Sequence, residues 1–254
     1  MGKKRILLKI GTNTLTKETN QISRGKVEDI GRQIASLKGD YEFIIVSSGA
    51  IAAAKQFVKL EHNGAEINVK QALAAIGQPH LMRIFQENFR ELGLFTSQCL
   101  LSYSDFENLD AKANIKNTIN VLVSNNFIPI INENDTVAAD EIQFGDNDKL
   151  AALTAALLQV DLLIIATNTN GIYTKISLEN DTPETISSVS GIGTLKQEIS
   201  TLKSTHGTGG MHSKIEAATI AQRSGIETWI VNGLKDNFIT DSLKGIGNFT
   251  KIKQ

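Results

Sequence analysis

Apolar residues along this chain fall into two kinds of pattern. Short, nearly continuous runs occur at Arg5–Ile10 (RILLKI), Phe43–Val46 (FIIV), Phe95–Leu101, Phe127–Ile131 (FIPII), Asp161–Ala166 (DLLIIA), Thr228–Val231 and Phe249–Ile252. Runs of this length bounded by turn residues predict buried strands, the last of them at a sheet edge. Between them, apolar residues recur at helical spacing. Val27, Ile30, Ile34 and Leu37 form one such stripe behind Ser23, a residue suited to cap it. Further helices are predicted at IAAAKQF after the Ser47-Ser48-Gly49-Ala50 turn, and at Val69–Leu92, Ala113–Ser124, Asp148–Leu158 and Met211–Arg223. The Val69–Leu92 stripe carries a break signal at Gly77-Gln78-Pro79, and Gly11-Thr12-Asn13 reads as a turn. Strand followed by helix, repeated along the chain, predicts an α/β fold: an open, mainly parallel sheet with right-handed crossovers and helices on both faces.

One stretch breaks the rhythm. Ile130–Leu150 (IINENDTVAADEIQFGDNDKL) is dense in carboxylates and side-chain amides, and it leaves a predicted strand to enter a predicted helix. In an open parallel sheet that is where ligands bind, in the crevice outside the carboxyl ends of the strands. Lys9-Gly11, Ser47-Gly49, Asn132-Asp135 and Thr167-Asn168 all fall at strand ends on the same rim. The segment Tyr173–Ser204, with Pro183, Gly191 and Gly193, is irregular and has the length of a functional lid or arm.

Composition narrows the class. The 254 residues are 41% hydrophobic and 21% charged, with a formal net charge of -1, which is the profile of a globular chain rather than a disordered or membrane one. That balance supplies no global basic field for non-specific nucleic-acid binding. No linker or repeat interrupts the chain, so one domain over 1–254 is expected. Cys99 stands alone, which excludes an intramolecular disulfide and suits a reducing compartment; it reads as a small buried apolar residue. The apolar run before Lys9 is too short for a secretion signal or a membrane span, so a cytoplasmic location is expected.

The chemistry that these positions can carry is phosphate chemistry. His206–Lys214 (HGTGGMHSK) sets three glycines before a helix start, where backbone N–H groups and the helix dipole favour an anion. Lys214 on the first turns of that helix adds a point charge. Neither the P-loop pattern nor the dinucleotide fingerprint occurs, and neither does the serine-hydrolase elbow. His62, His80, His206 and His212 have no partners at catalytic spacing, and no carboxylate or histidine cluster is spaced like a metal cage. On pattern alone, Lys9 reads as a solvated strand end. Lysines, amides, glycine turns and aspartates on one rim are nonetheless what phosphoryl transfer needs, since catalysis there is mostly positioning and charge neutralisation.

Six motifs carry a family resemblance: KIGTNTLT (Lys9–Thr16), VSSGAIAA (Val46–Ala53), PIINENDTV (Pro129–Val137), GDNDKLAA (Gly145–Ala152), NTNGIYT (Asn168–Thr174) and GTGGMHSK (Gly207–Lys214). In this order the chain resembles the glutamate 5-kinase family of the amino-acid kinase superfamily. The resemblance implies a three-layer αβα sandwich around an eight-stranded sheet. It also implies transfer of the γ-phosphoryl of ATP to the side-chain carboxylate of L-glutamate, giving γ-glutamyl phosphate for proline biosynthesis. Lys9 and Lys214 would bridge and stabilise the transferred group, with Asp148 holding their ammonium groups. Ser48, Gly49, Asp135 and Asn147 would hold the amino acid, with Asn132 and Asp146 in the same loops. The nucleotide site would comprise Lys9, Gly11, Thr167, Asn168, Thr208, Gly209, Gly210, Met211, His212, Ser213 and Lys214, and Mg²⁺ would ride on the nucleotide rather than in a protein cage. A homo-oligomer, dimer or tetramer, and feedback inhibition by proline are implied as well.

Two departures from the family pattern stand out. Asn168 stands where an aspartate is common in the family, and a kinase-only form is expected, without the RNA-modification-type domain that many members carry after the kinase domain. The rival is another kinase of the superfamily, acting on acetylglutamate, aspartate or a nucleoside monophosphate. INENDTV and GDND argue against it, since Asp135 beside Asn132 and Asn134 is suited to a free ammonium group.

Overall fold

A computed structural model describes residues 2–60, 66–138, 147–174, 177, 182–190 and 209–253. The elements run β1 (Lys4–Ile10), α1 (Thr12–Thr16), α2 (Arg24–Leu37), β2 (Tyr41–Ser47), α3 (Ala50–Lys55), α4 (Ile67–Arg90) and β3 (Phe95–Leu101). They continue through a 3₁₀ turn (Tyr103–Phe106), α5 (Leu109–Ser124), β4 (Phe127–Glu133), α6 (Asp148–Leu158), β5 (Leu162–Thr167) and β6 (Ser188–Val189). Last come α7 (Gly209–Arg223), β7 (Glu227–Asn232), α8 (Phe238–Leu243) and β8 (Thr250–Ile252). The eight strands form one sheet in the order β3-β4-β2-β1-β5-β7-β8-β6, parallel throughout except for the β7–β8 pair. The chain starts at the centre, adds β2 beside β1, crosses to the edge with β3, fills the gap between them with β4, then returns to the other side of β1 with β5. That reversal puts a topological switch point beside the end of β1.

Period-two alternation sorts the strand residues between two apolar layers. Ile6, Leu8 and Ile10 of β1 share one layer with Phe43, Ile45, Ile130 and Ile164, under Val27, Ile30 and Ile34 of α2 and Leu81, Phe85 and Phe89 of α4. Leu7 belongs to the opposite layer with Val46, Ile131 and Ile165, under Ile119 and Val123 of α5, Ala151 and Ala155 of α6 and Ala217 and Ala221 of α7. The three-layer α/β expectation is thus met. Ser23 caps α2 as expected, its side chain accepting a hydrogen bond from the Lys26 N–H.

Several local expectations are corrected. Gly11-Thr12-Asn13 is not a simple turn, because α1 begins directly at Thr12. The predicted break in the long helix does not occur: α4 runs unbroken through Pro79. Pro79 and Ala75, whose carbonyl loses its partner, are both on the exposed side, where water is available to that carbonyl. Phe249–Ile252 is not an edge strand, since β8 lies between β7 and β6. Most of the irregular Tyr173–Ser204 segment lies outside the described residues, but its described part contributes β6 and a bridge between Tyr173 and Thr185. The short helices α1 and α8 have no counterpart in the apolar pattern.

A buried polar lock positions the chain after β7. Lys26 is fully buried in α2, donates to the Lys235 carbonyl at 2.6 Å and pairs with Asp29 at 3.1 Å. Burial pushes its ammonium pKa down, opposed by Asp29. Gln33, one turn on, accepts from the N–H of Ile239 at the start of α8.

Where α4 crosses α3, Gly77 is required. A Cβ there would lie 1.8 Å from the Ala50 carbonyl oxygen, and neither backbone can yield without moving its helix. Gly77→Ala gains helix propensity but should lose more to overpacking, about 1–3 kcal/mol, or roughly 2–12 °C in melting temperature for a chain of this size. A variant melting above the parent would show that the two helices do not meet there as described.

Candidate active site

Lys9 lies one residue before the end of β1, and alternation turns its side chain into the layer of α6 and α7 with Leu7. It is 2% exposed, so the solvated-strand-end reading fails. Asp148 opens α6 and is 0% exposed, and Lys214, in the second turn of α7, is 8% exposed. The small residues Ala151, Ala155, Ala217 and Ala221 let α6 and α7 pack directly together, which brings the two first turns side by side. Lys9 Nζ stands 2.6 Å from Asp148 Oδ1, and Lys214 Nζ stands 3.0 Å from Asp148 Oδ2. One carboxylate thus holds two ammonium groups, one on each oxygen. Lys214 also donates to the Gly210 carbonyl at 2.9 Å, and the Ser213 hydroxyl lies 2.9 Å from Asp148 Oδ2.

Burial by itself would push the Asp148 carboxyl up; the two lysines outweigh it and hold it below the ordinary carboxylate range. The Asp148 carboxyl is therefore ionised at neutral pH, and two lysines against one carboxylate give the cluster a formal charge of +1. Glycines keep space around it: a Cβ on Gly11 would sit 3.4 Å from Lys9 Nζ, and one on Gly210 3.8 Å from Lys214 Nζ. A phosphate chain fits such a cradle, with excess positive charge at its floor and bare backbone at its sides. Asp148 is not the cap of its helix, because Asn147 occupies that position.

A chain of amides fixes the next shell. Asn147 donates through Nδ2 to the Ser47 carbonyl at 2.9 Å and to Asn132 Oδ1 at 2.7 Å. Asn132 in turn donates to Gln78 Oε1 at 2.8 Å, and Gln78 donates to Gln98 at 3.2 Å. Asn132 thus acts through Asn147, its own amide being occupied by protein on both ends. Gln78 and Gln98 escaped the reading of the sequence. The available signal was Gln78 itself, a polar residue on the apolar face with Leu81 and Phe85.

Several buried side-chain oxygens have no hydrogen-bond partner among the described residues, and three of them stand on this rim: Ser48 Oγ at the end of β2, Asn147 Oδ1 before α6, and Asp135 Oδ1 beyond β4. Each was named as an amino-acid-binding position. Unpartnered buried polar atoms are costly, and a ligand carrying hydrogen-bond donors would complete these three. Desolvation raises the Asp135 pKa to about 6. Gly49 lets the chain turn from β2 into α3 at φ 104°, a conformation that strains any L side chain. A cavity of about 670 Å³ opens beside Gly49 and Asp135, with Lys55 and Lys70 also in its wall. Its lining does not include the Lys9–Asp148–Lys214 cluster, so the two features are separate parts of one rim.

At the end of β5, Thr167 is buried and Asn168 donates to Glu18 Oε1 at 3.1 Å. An aspartate at 168 would face that carboxylate with like charge, which accounts locally for the amide. Gly209, Gly210, Met211, His212 and Ser213 all belong to the first turns of α7. Asp146 and Thr208, expected in the amino-acid and nucleotide sites, lie outside the described residues, as do His62 and His206. His80 packs edge-on against Phe57. Burial pushes the Cys99 thiol up, in keeping with an unreactive side chain. Among the described residues, no helix is long and apolar enough to cross a membrane.

Comparison with known proteins matches residues 4–232 to the amino acid kinase family. A glutamate 5-kinase of Neisseria gonorrhoeae is 38% identical over 95% of this chain and 83% of its own length. One of Escherichia coli O1:K1 / APEC is 38% identical over 95% of this chain, which spans 66% of that protein. Among solved structures, carbamate kinase from Giardia lamblia bound to AMP-PNP superposes with a TM-score of 0.70 at 16% identity, covering 100% of this chain and 99% of that one. UMP kinase from Ureaplasma parvum gives 0.65 at 19% identity, with 100% of both chains covered. Those two likenesses bear on the fold alone, whereas the sequence matches bear on descent: the chain belongs to the amino acid kinase family and, within it, to the glutamate 5-kinases.

Proposed function

We propose that this chain transfers the γ-phosphoryl group of ATP to the side-chain carboxylate of L-glutamate, yielding γ-glutamyl phosphate and ADP as the first step of proline biosynthesis. The observation that carries the reading is the pair of lysines held on opposite oxygens of one buried carboxylate, beside a set of unpartnered amino-acid-binding acceptors. A carboxylate oxygen of glutamate attacks the γ-phosphorus. The bond from that phosphorus to the β–γ bridging oxygen breaks, and ADP leaves with the electron pair. Glutamate's side chain is ionised at neutral pH, so no general base is needed. Lys9 and Lys214 neutralise charge that develops on the transferred group, and Asp148 keeps both ammonium groups in place. Ser48, Asn147 and Asp135 receive the amino acid, and Asp135 takes its ammonium group.

Thr167, Asn168 and the start of α7 receive the nucleotide. Mg²⁺ enters on the phosphate oxygens, a donor set this ion favours. Competition by proline, a homo-oligomeric state and a cytoplasmic location go with the same reading, on the strength of the family resemblance. Hydroxylamine trapping of acyl phosphate, with glutamate, aspartate, acetylglutamate and uridine monophosphate as acceptors, tests it. Strong product with glutamate alone is expected, and equal turnover of another acceptor would overturn it.

Asp148→Asn removes the counter-charge shared by two buried lysines. Its kcat should fall at least about a hundredfold, or ~2.7 kcal/mol of barrier. The ligand-free variant should also melt below the parent, because breaking a buried ion cluster leaves uncompensated charge, and ATP should raise its melting temperature more than it raises the parent's. A normal kcat would remove the cluster from the mechanism.

Asp135→Asn separates binding from stability. A carboxyl whose pKa is raised from 3.8 to about 6 on folding binds its proton more tightly in the folded state, so its contribution to stability declines as pH rises between those values and stays low above them. The variant should therefore melt above the ligand-free parent at pH 7.5, and lose that advantage near pH 4. Its KM for glutamate should rise by the equivalent of ~2–5 kcal/mol, with that for ATP little changed. Equal rises in both KM values would refute the assignment of Asp135 to the amino acid.

A further inference from the structure

The cavity beside Gly49 and Asp135 has the size of a small-molecule pocket, and its charges are distinctive. Among the described residues that line it, three are charged: Asp135, Lys55 and Lys70. Lys55 ends α3 and is exposed, and Lys70 lies in the first turn of α4 and is half-buried. The two helices are locked together where Gly77 meets the Ala50 backbone, so both lysines project from one rigid wall. Neither ammonium group takes part in a hydrogen bond or ion pair among the described residues.

The acceptor's own geometry says what that wall meets. In glutamate the ammonium group and the α-carboxylate sit on the same carbon, whereas the reacting carboxylate is at the far end of the side chain. With the ammonium group on Asp135, the α-carboxylate falls inside the cavity that Asp135 lines. The reacting carboxylate reaches toward the Lys9–Asp148–Lys214 cluster. The α-carboxylate then needs a counter-charge in the cavity, and Asp148 has no part in that. We infer that Lys55 and Lys70 bind the α-carboxylate of the acceptor, and so make the site specific for an α-amino acid rather than for a carboxylic acid bearing an amine. This rests on the reading of the chain as a glutamate-phosphorylating enzyme.

4-Aminobutyrate is glutamate without its α-carboxylate, with the reacting carboxylate and the amine retained, and it isolates the contact. Hydroxamate formation from glutamate and from 4-aminobutyrate would be measured for the parent, Lys55→Gln, Lys70→Gln, the double Gln variant and the two Lys→Arg variants. Calorimetric titration of glutamate would accompany it. Because Lys55 is solvent-exposed, the gain per pair is moderate, and the double variant should raise the KM for glutamate by about tenfold. Its kcat and KM for ATP should hold within about twofold, the arginine variants should stay near the parent, and kcat/KM for 4-aminobutyrate should not change. An unchanged KM for glutamate in the double variant, or an equal loss with both acceptors, overturns the inference. A parent that gives no acyl phosphate with glutamate overturns the functional reading instead, a result visible before any variant is compared.

Discussion

A buried carboxylate flanked by two ammonium groups is the constraint on which the rest of this rim depends. None of the three charges could be buried alone, since an unpaired ion in the interior costs several kcal/mol. Asp148 has Lys9 on one oxygen and Lys214 on the other, and each partner makes the burial of the others tolerable. The arrangement ties β1, α6 and α7 at one point, and among these three residues it sets two formal positive charges against one negative. That residual charge costs no reorganisation at the moment of reaction, because the surrounding packing has already fixed it.

Around this centre, rigidity is supplied by neutral groups. The amides of Gln98, Gln78, Asn132 and Asn147 pass hydrogen bonds from the β3 edge through α4 to the start of α6. They orient the residue preceding Asp148 without adding charge that would compete with the lysines. Gly77 and Gly49 do comparable work with shape: one lets α3 and α4 touch, the other lets β2 turn sharply into α3. The result is a cavity wall whose position depends on backbone contact rather than on flexible side chains.

The part of the rim around Ser48, Asn147 and Asp135 is built at the expense of stability. Ser48, Asn147 and Asp135 keep acceptor atoms buried with no partner among the described residues, and Asp135 holds its charge against desolvation. Such groups persist where a ligand completes them, which is the usual form of the trade between activity and stability. Asn168 illustrates a local adjustment just beyond the end of β5. Its amide faces the Glu18 carboxylate, so the loss of a family aspartate is matched by a nearby acid.

The apolar pattern was enough to determine the layered α/β architecture, the buried strands and their small-residue ends, and the start of α6 at Asp148, because each of these is a local property of period and turn chemistry. The motifs at the strand ends likewise located most of the rim. Tertiary structure decided the rest, for physical reasons particular to each residue. Alternation says which face Lys9 takes but not what covers that face, so only the packing of α6 and α7 shows it to be buried. Glycine and proline next to Gln78 signal a break locally. In the fold, Gly77 is a contact with α3, and Pro79 lies on the side open to water, so the helix continues and Gln78 joins the amides. β6 and β8 owe their places to pairing partners distant in the chain, and strands so short carry too little pattern to show an edge from an interior position. Lys55 and Lys70 carry no signal in the sequence, since nothing in a linear chain reveals that two helices will bring them to one cavity with Asp135.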